Sequence, residues 1–557
     1  MQIRTISAPQ IQSRLTTPAF APTLKPEQAD SPAVDGFRPG FSALALQSPA
    51  PEAKAPSPLL KRIEKMVGEA LADPAKEKEL ISTLQKLNAA GQLKPTLHQL
   101  AQLGMESGAL PPLPPEKISE GVETAANMID AQFRERGMTP DTQGVVYKDW
   151  ATLSAEHLAK VRNSQAPPRQ PGGLSLFTDK TFLSELESLQ GAKFRSGNSI
   201  TPLMDGPASF AERDRMIDGA KESINMMSWA IYDDETGWDT ARKLVKKAEE
   251  GVTVRVIVDG QTAAKTGYGD AARWMKENGV AVDFWRDSDR PYDGNHRKLL
   301  SVDGQEAVVG GINIGNVYSH RTTEDKWRDT DVLVQGPAVT DGERMFADVW
   351  NAHAEKNGYA SMERPAEPAA VSGGMSAAVV NHNPGPDGDS HIMLSMIKAI
   401  EGATESVDME QAYFINTPGV KDALMKALDA GVKVRILTNS AESIDEAIMA
   451  YPILASLPEM LEAGAEIYLK KGPTLHSKFM TVDGMFTQVG SHNHHPRSER
   501  FEGEMVINAV DPNLTRSFTE SFEKDIAAAK RCETVADIGV PEPGLGALAL
   551  KYFFDAF

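Results

Sequence analysis

From about residue 177 onward the apolar positions follow two alternating rhythms. The run Val252-Thr-Val-Arg-Val-Ile-Val258 is rich in β-branched residues and predicts a buried strand, and Ala271 to Asn278 downstream predicts a helix. This alternation predicts an α/β fold of mixed, mostly parallel β-sheets flanked by helices. It occurs twice, in similar units from about 197 to 351 and from about 379 to 528, separated by the Pro/Gly-rich stretch 363–374. Upstream the rhythm changes. Leu60, Ile63, Met66, Val67 and Leu71, then Leu80, Leu84 and Leu87, recur at helical spacing until Pro/Gly breaks near Pro111. The first 58 residues are rich in Pro, Ser, Ala and Gln and show no sustained periodicity, which reads as a disordered tail. The expected organisation is a tail at 1–58, a small helical domain at 59–163, a linker and lead-in at 164–196, a first lobe at 197–362, a connector at 363–378, and a second lobe with a C-terminal extension at 379–557.

Composition narrows the function classes. The chain has 557 residues, 41% of them hydrophobic, enough for a large core. A formal charge of −19 argues against indiscriminate adhesion to DNA or anionic membranes, which needs Lys and Arg against phosphate. Cys532 is the only cysteine, so an intrachain disulfide and a thiolate metal cluster are both excluded. The start lacks the apolar core of a secretory signal, and no stretch reaches the roughly 18 apolar residues of a membrane span. The expected location is therefore cytoplasmic or peripheral to a membrane, with export by a signal-independent route left open. The apolar run 547–557 is expected to dock on the protein's own surface.

The two units carry one chemical motif. His296-Arg-Lys298-Leu-Leu-Ser-Val-Asp303 and His476-Ser-Lys478-Phe-Met-Thr-Val-Asp483 both read H-x-K-x4-D, 180 positions apart. Gly310-Gly-Ile-Asn313 and Gly490-Ser-His-Asn493 follow at identical spacing, and Gly251 to Asp259 lines up with Gly431 to Asn439. A duplicated histidine and lysine points to one active site built from two halves.

Those residue types suit transfer at phosphorus. One neutral imidazole attacks, and an imidazolium opposite protonates the leaving oxygen. Lys298, Lys478, Asn313 and Asn493 would surround the phosphoryl oxygens with positive charge and N–H donors, an arrangement that calls for neither metal nor cofactor. His and Lys two apart on a strand face the same side. Each histidine needs a partner to fix its tautomer. Glu504 is the candidate orienter for one, and Asp329 or Asp331 for the other. Asp303 and Asp483 complete the catalytic motifs, and are expected to hold the motif loop or pair with a lysine. Asp329, Asp331 and Glu502 otherwise read as surface acids, and His492, His494 and His495 as solvent-facing loop residues. Trp229 and Tyr413, at predicted strand ends, either line a substrate channel or pack.

With its duplicated H-x-K-x4-D and G-[GS]-x-N, the chain resembles the phospholipase D superfamily, and within it the bacterial cardiolipin synthases and their relatives. The nearer resemblance rests on Asn295 to Gly304, Val309 to Gly315, Trp327-Arg-Asp-Thr330, Gly336-Pro-Ala-Val339, Leu475 to Lys478 and Pro496-Arg-Ser498, and spans about 197 to 528. It implies two similar lobes forming one active site, a phosphohistidine intermediate and phospholipid substrates. It also implies His296 as nucleophile, His476 as acid and base, and Lys298, Asn313, Lys478 and Asn493 as phosphate ligands. The chain departs from the family in its polar N-terminal tail, and in Asn493-His-His495-Pro-Arg-Ser-Glu-Arg-Phe-Glu502, where His495 and Glu502 replace the usual residues. The leading expectation is a metal-independent phosphodiesterase or phosphatidyltransferase in peripheral contact with a membrane. A nuclease of the same fold and a retired scaffold serving a protein partner of the N-terminal region are the alternatives.

Overall fold

The computed structural model describes residues 150–541, apart from 163, 287–292, 322–323 and 385–388, together with a few positions between 93 and 126. The expected tail, most of the expected helical domain and the apolar run 547–557 lie outside the described residues. Among the described residues no helix is long and apolar enough to cross a membrane.

In the first half the strands are β1 Arg195–Met204, β2 Ser223–Ser228, β3 Thr253–Asp259, β4 Ala281–Trp285, β5 Gly294–Asn295, β6 Leu299–Val302, β7 Glu306–Gly310 and β8 Thr330–Gln335. In the second they are β9 Met375–His382, β10 Ser406–Gln411, β11 Lys433–Asn439, β12 Glu466–Lys470, β13 Lys478–Val482, β14 Phe486–Gly490, β15 Glu502–Val510 and β16 Lys530–Cys532. All belong to one 16-stranded sheet, ordered β16-β12-β11-β10-β13-β14-β15-β9-β1-β8-β7-β6-β2-β3-β4, with β5 beside β15. Read outward from the β9–β1 junction, each half repeats the same order. The duplication in sequence is thus a duplication in topology, joined edge to edge into a continuous sheet.

The expectation of mostly parallel pairing needs correction. Parallel neighbours are confined to β2–β3–β4, β10–β11–β12 and the short β5–β15 pair, and the remaining pairs are antiparallel. The reason is local. Asp303 and Gly304 both have positive φ, at 52° and 63°, and Gln305 N–H donates to Val302 O at 3.1 Å, which makes 302–305 a type I′ turn. Asp483 and Gly484 repeat it, with φ of 52° and 61°. An Asp-Gly hairpin after each H-x-K strand sends the chain straight back, so β6–β7 and β13–β14 are antiparallel.

Helices cover both faces. Asp205–Gly219, Glu235–Glu249 and Asp270–Glu277 close the first half over Ile224, Val256, Leu300 and Val308. His391–Glu401, Pro418–Asp429 and Pro458–Glu462 do the same for the second over Met409, Ile436, Ile467 and Met480. Pro337–Ala354 and Pro512–Ala528 share a third cluster that crosses the junction and includes Phe346 and Trp350 from the first half and Phe479, Phe518 and Phe522 from the second. With roughly 25 cal/mol per Å² of apolar surface removed from water, this shared core ties the lobes together. Burial on both faces explains the near-continuous apolar runs of β2, β3 and β11.

Candidate active site

Each motif histidine lies just before its strand and is hydrogen-bonded, through its backbone, to the other lobe. His296 N–H donates to Gly503 O at 2.8 Å, beside the β5–β15 pairing of Asn295 with Gly503. His476 N–H donates to Arg328 O at 2.7 Å, and Arg328 N–H to Thr474 O at 2.8 Å. The residue between His and Lys also crosses over. Arg297 is buried and donates to Asn381 Oδ1 at 2.7 Å and His382 O at 2.7 Å, and Ser477 Oγ donates to Thr330 Oγ1 at 2.9 Å.

These crossings bring each histidine to an acid of the opposite lobe. His296 Nδ1 lies 3.0 Å from both Glu504 carboxylate oxygens, and His476 Nδ1 lies 2.7 Å from Asp329 Oδ2. All four groups are buried. A proton on Nδ1 donated to the carboxylate leaves the Nε2 lone pair available. Ser491 Oγ and Ser498 Oγ, the latter at 2.7 Å, both donate to Glu504 and fix it in turn. Asp331 serves neither histidine. Its carboxylate accepts from Arg213 at 2.9 Å and from Ser209, on the helix Asp205–Gly219, whereas Asp329 lies just before the β8 ladder, next to the Arg328–Leu475 bridge to the other lobe.

The lysines stand beside the rings. Lys298 Nζ donates to His296 O at 2.7 Å, and Lys478 Nζ sits 3.0 Å from His476 Nδ1. Burial holds both ammonium groups down, Lys298 to about 7, and the charge of either lysine bears on both histidines. Burial first, then those lysines, pushes both imidazoles well below their ordinary range, so they rest neutral. Burial raises Asp329 to about 6, against the pull of Lys478. Asn313 and Asn493 are buried, and among the described residues neither Oδ1 has a hydrogen-bond partner. The two lysine ammonium groups, each with three N–H bonds, are the cationic donors that suit this site to an oxyanion.

Asp303 and Asp483 stand elsewhere. Besides forming the turns, Asp303 accepts from the N–H groups of Lys221, Glu222 and Ser223, and Asp483 from those of Thr404, Glu405 and Ser406. Each pins the hairpin to the start of the neighbouring strand, β2 or β10. The geometry gives them structural work and no contact with the histidines.

The loop after β14 also departs from expectation. His492, His494 and His495 are buried, with exposures of 2%, 0% and 4%. His495 caps the short helix Pro496–Arg500, its Nδ1 accepting Ser498 N–H at 3.1 Å, and His494 packs on Phe414. Burial lowers all three, His494 to about 3. Glu502 is buried too, paired with Arg497 at 2.8 Å. His296, Glu502 and Glu504 have polar atoms within 4.8 Å of one another, each already engaged in the hydrogen bonds or ion pairs described. Trp229 presents its ring to His296 with centroids 5.8 Å apart, and Tyr413 donates to Asp445 at 2.7 Å.

The family model described as "Cardiolipin synthase, PLD-like domain" matches residues 214–350 and 396–526, one match in each lobe. The chain belongs to the phospholipase D superfamily. This phospholipase D-type enzyme is 27% identical over 395 residues to the major cardiolipin synthase of Bacillus subtilis, covering 69% of this chain and 81% of that protein. It is 28% identical over 341 residues to cardiolipin synthase 2 of Staphylococcus epidermidis, covering 60% and 69%. Among solved structures, the phosphatidylserine synthase of Haemophilus influenzae superposes with a TM-score of 0.52 at 15% identity, covering 67% of this chain and 96% of that one, a likeness of fold.

Several residues of this phospholipase D site escaped the sequence reading. Tyr318, Trp327, Ser491, Ser498 and Arg328 all touch the histidines or their acids. Arg328 is buried between the lobes and donates to Asp329 O at 2.6 Å and Asp525 at 2.9 Å. Its place immediately before Asp329 was the available signal. Ser498 stands 180 positions after Tyr318, so the internal repeat marked both.

Proposed function

We propose that this enzyme transfers or hydrolyses phosphatidyl groups of phospholipids by double displacement through a phosphohistidine at His296. With the anionic phosphodiester bound, His476 takes up a proton at Nε2 and becomes the imidazolium. His296 Nε2 then attacks phosphorus, the P–O bond to the departing alcohol breaks, and His476 gives that oxygen its proton. The roles then reverse. His476, now neutral, takes the proton of a water or an acceptor alcohol whose oxygen displaces His296. Glu504 and Asp329 hold the rings and offset the positive charge that each acquires. Lys298, Lys478, Asn313 and Asn493 bind the phosphoryl oxygens. A bound phosphate restores the charge of the desolvated lysines, so binding and full protonation support each other.

The observation that carries this reading is the exchange of partners: two neutral histidines in one buried site, each oriented at Nδ1 by the carboxylate of the opposite lobe. Kinship with cardiolipin synthases supports phospholipids as substrates and phosphatidyl transfer as the reaction. The test incubates the purified protein and its His296→Ala variant, in chelator, with phosphatidylglycerol, phosphatidylethanolamine, phosphatidylcholine and cardiolipin. Mass spectrometry should find phosphatidic acid or an exchanged phospholipid with the parent protein alone. Equal products from both, or none, would contradict the reading.

A further inference from the structure

The two histidines match in motif and in orienting acid, yet their Nε2 atoms meet different surroundings. Over His476 stands Tyr318, on the short helix Asn316–Ser319, with its hydroxyl 3.5 Å from Nε2 and its ring edge-on at 5.2 Å. Trp327 covers the imidazole as well, with centroids 5.6 Å apart. The hydroxyl oxygen accepts from Asn313 Nδ2 at 3.0 Å. Its own proton is therefore free for His476 Nε2, whose lone pair is exposed because Nδ1 keeps its proton for Asp329. Burial keeps the phenol protonated.

His296 has no such partner. The residue 180 positions after Tyr318 is Ser498, whose hydroxyl turns away to Glu504, and among the described residues nothing hydrogen-bonds His296 Nε2. At the end of β2, Trp229 sets its ring edge against His296, where the matching position after β10 is Ala412.

We propose that Tyr318 is the positioning residue that makes the two histidines unequal. Its hydroxyl engages Nε2 of His476, which restricts that ring to giving and taking protons, and leaves Nε2 of His296 free to form the bond to phosphorus. The proposal rests on the phosphohistidine reading above. Tyr318→Phe keeps the ring against Trp327 and Tyr232 and removes only the hydroxyl, so it isolates the contact.

The experiment uses the full chain with bis(4-nitrophenyl) phosphate, whose leaving group departs without protonation. Reactions are quenched in alkali, and histidine adducts are mapped by peptide mass spectrometry. Wild type should carry an adduct on the His296 peptide alone and His296→Ala none, while His296→Ala/Tyr318→Phe should gain one on His476. No adduct in wild type overturns the phosphohistidine reading and this proposal with it. A wild-type adduct with none in the folded double variant, or an adduct on His476 in His296→Ala alone, overturns only the role of Tyr318. Should the double variant fail to fold, ring-NMR titration of Tyr318→Phe decides. Loss of a donor to neutral Nε2 should raise the pH at which His476 protonates, and an unchanged midpoint would overturn the proposal.

Discussion

In the first lobe the motif histidine stands under the edge of Trp229 with its outer nitrogen open. In the second its counterpart is covered by Trp327 and Tyr318, both contributed by the first lobe. The groups that would meet phosphate, a histidine and lysine from each motif and an asparagine beyond it, are the same in both. What differs is their support: Asp329 against Glu504, Tyr318 against Ser498, Trp229 against Ala412. Duplication preserved the set that neutralises a phosphodiester and let its surroundings diverge. On the proposed mechanism, a symmetric fold thereby acquires an attacking side and a proton-transferring side.

The largest test of that difference is removal of each histidine. His296→Ala and His476→Ala should each lower phospholipid turnover by about 10⁴-fold or more. With bis(4-nitrophenyl) phosphate they should part company. His476→Ala should release a burst of nitrophenolate in stopped flow and stall, while His296→Ala should release none. Next in size are the orienting acids. Asp329→Asn and Glu504→Gln keep shape but reverse the hydrogen bond that fixes the tautomer, and each should reduce kcat by roughly 10² to 10⁴.

A pH profile sharpens the comparison further. Below about pH 6 Asp329 takes up a proton and no longer accepts from His476, so kcat/KM should fall on the acid side. Above about pH 7 Lys298 loses its proton and its charge, so kcat/KM should fall on the alkaline side as well. Asp329→Asn should abolish the acid limb at a lower maximum. The smallest catalytic effect belongs to the motif aspartates. Asp303→Ala and Asp483→Ala should leave kcat near wild type and cost about 1 to 3 kcal/mol in urea unfolding, because they hold turns and backbone N–H groups. Asn tolerates positive φ, so Asp303→Asn should cost less than Asp303→Ala.

Much of this was legible in the sequence because the repeat is nearly in register. His296, Lys298 and Asn313 found their counterparts by a constant offset, and the alternation of strand and helix gave the class of fold. Asp303 and Asp483 were expected to hold the motif loop or pair with a lysine, and they hold the loop; what went unread was that Asp-Gly between apolar runs is a hairpin signal, and that turn makes β6–β7 and β13–β14 antiparallel. Burial of His492, His494, His495 and Glu502 rests on tertiary packing, such as His494 against Phe414 and His495 against Tyr413, that no local pattern encodes. Choosing between Asp329 and Asp331 required knowing that the chain meets the other lobe just before the β8 ladder begins, at the Arg328–Leu475 bridge.

The most direct test of an active site shared between unequal lobes is the position of the covalent adduct in His476→Ala. This variant is mixed with bis(4-nitrophenyl) phosphate, quenched in alkali within the burst and digested for peptide mass spectrometry. The account predicts a 4-nitrophenylphosphoryl group on His296, near one per molecule. An adduct on any other residue, or a burst with no adduct, would contradict it.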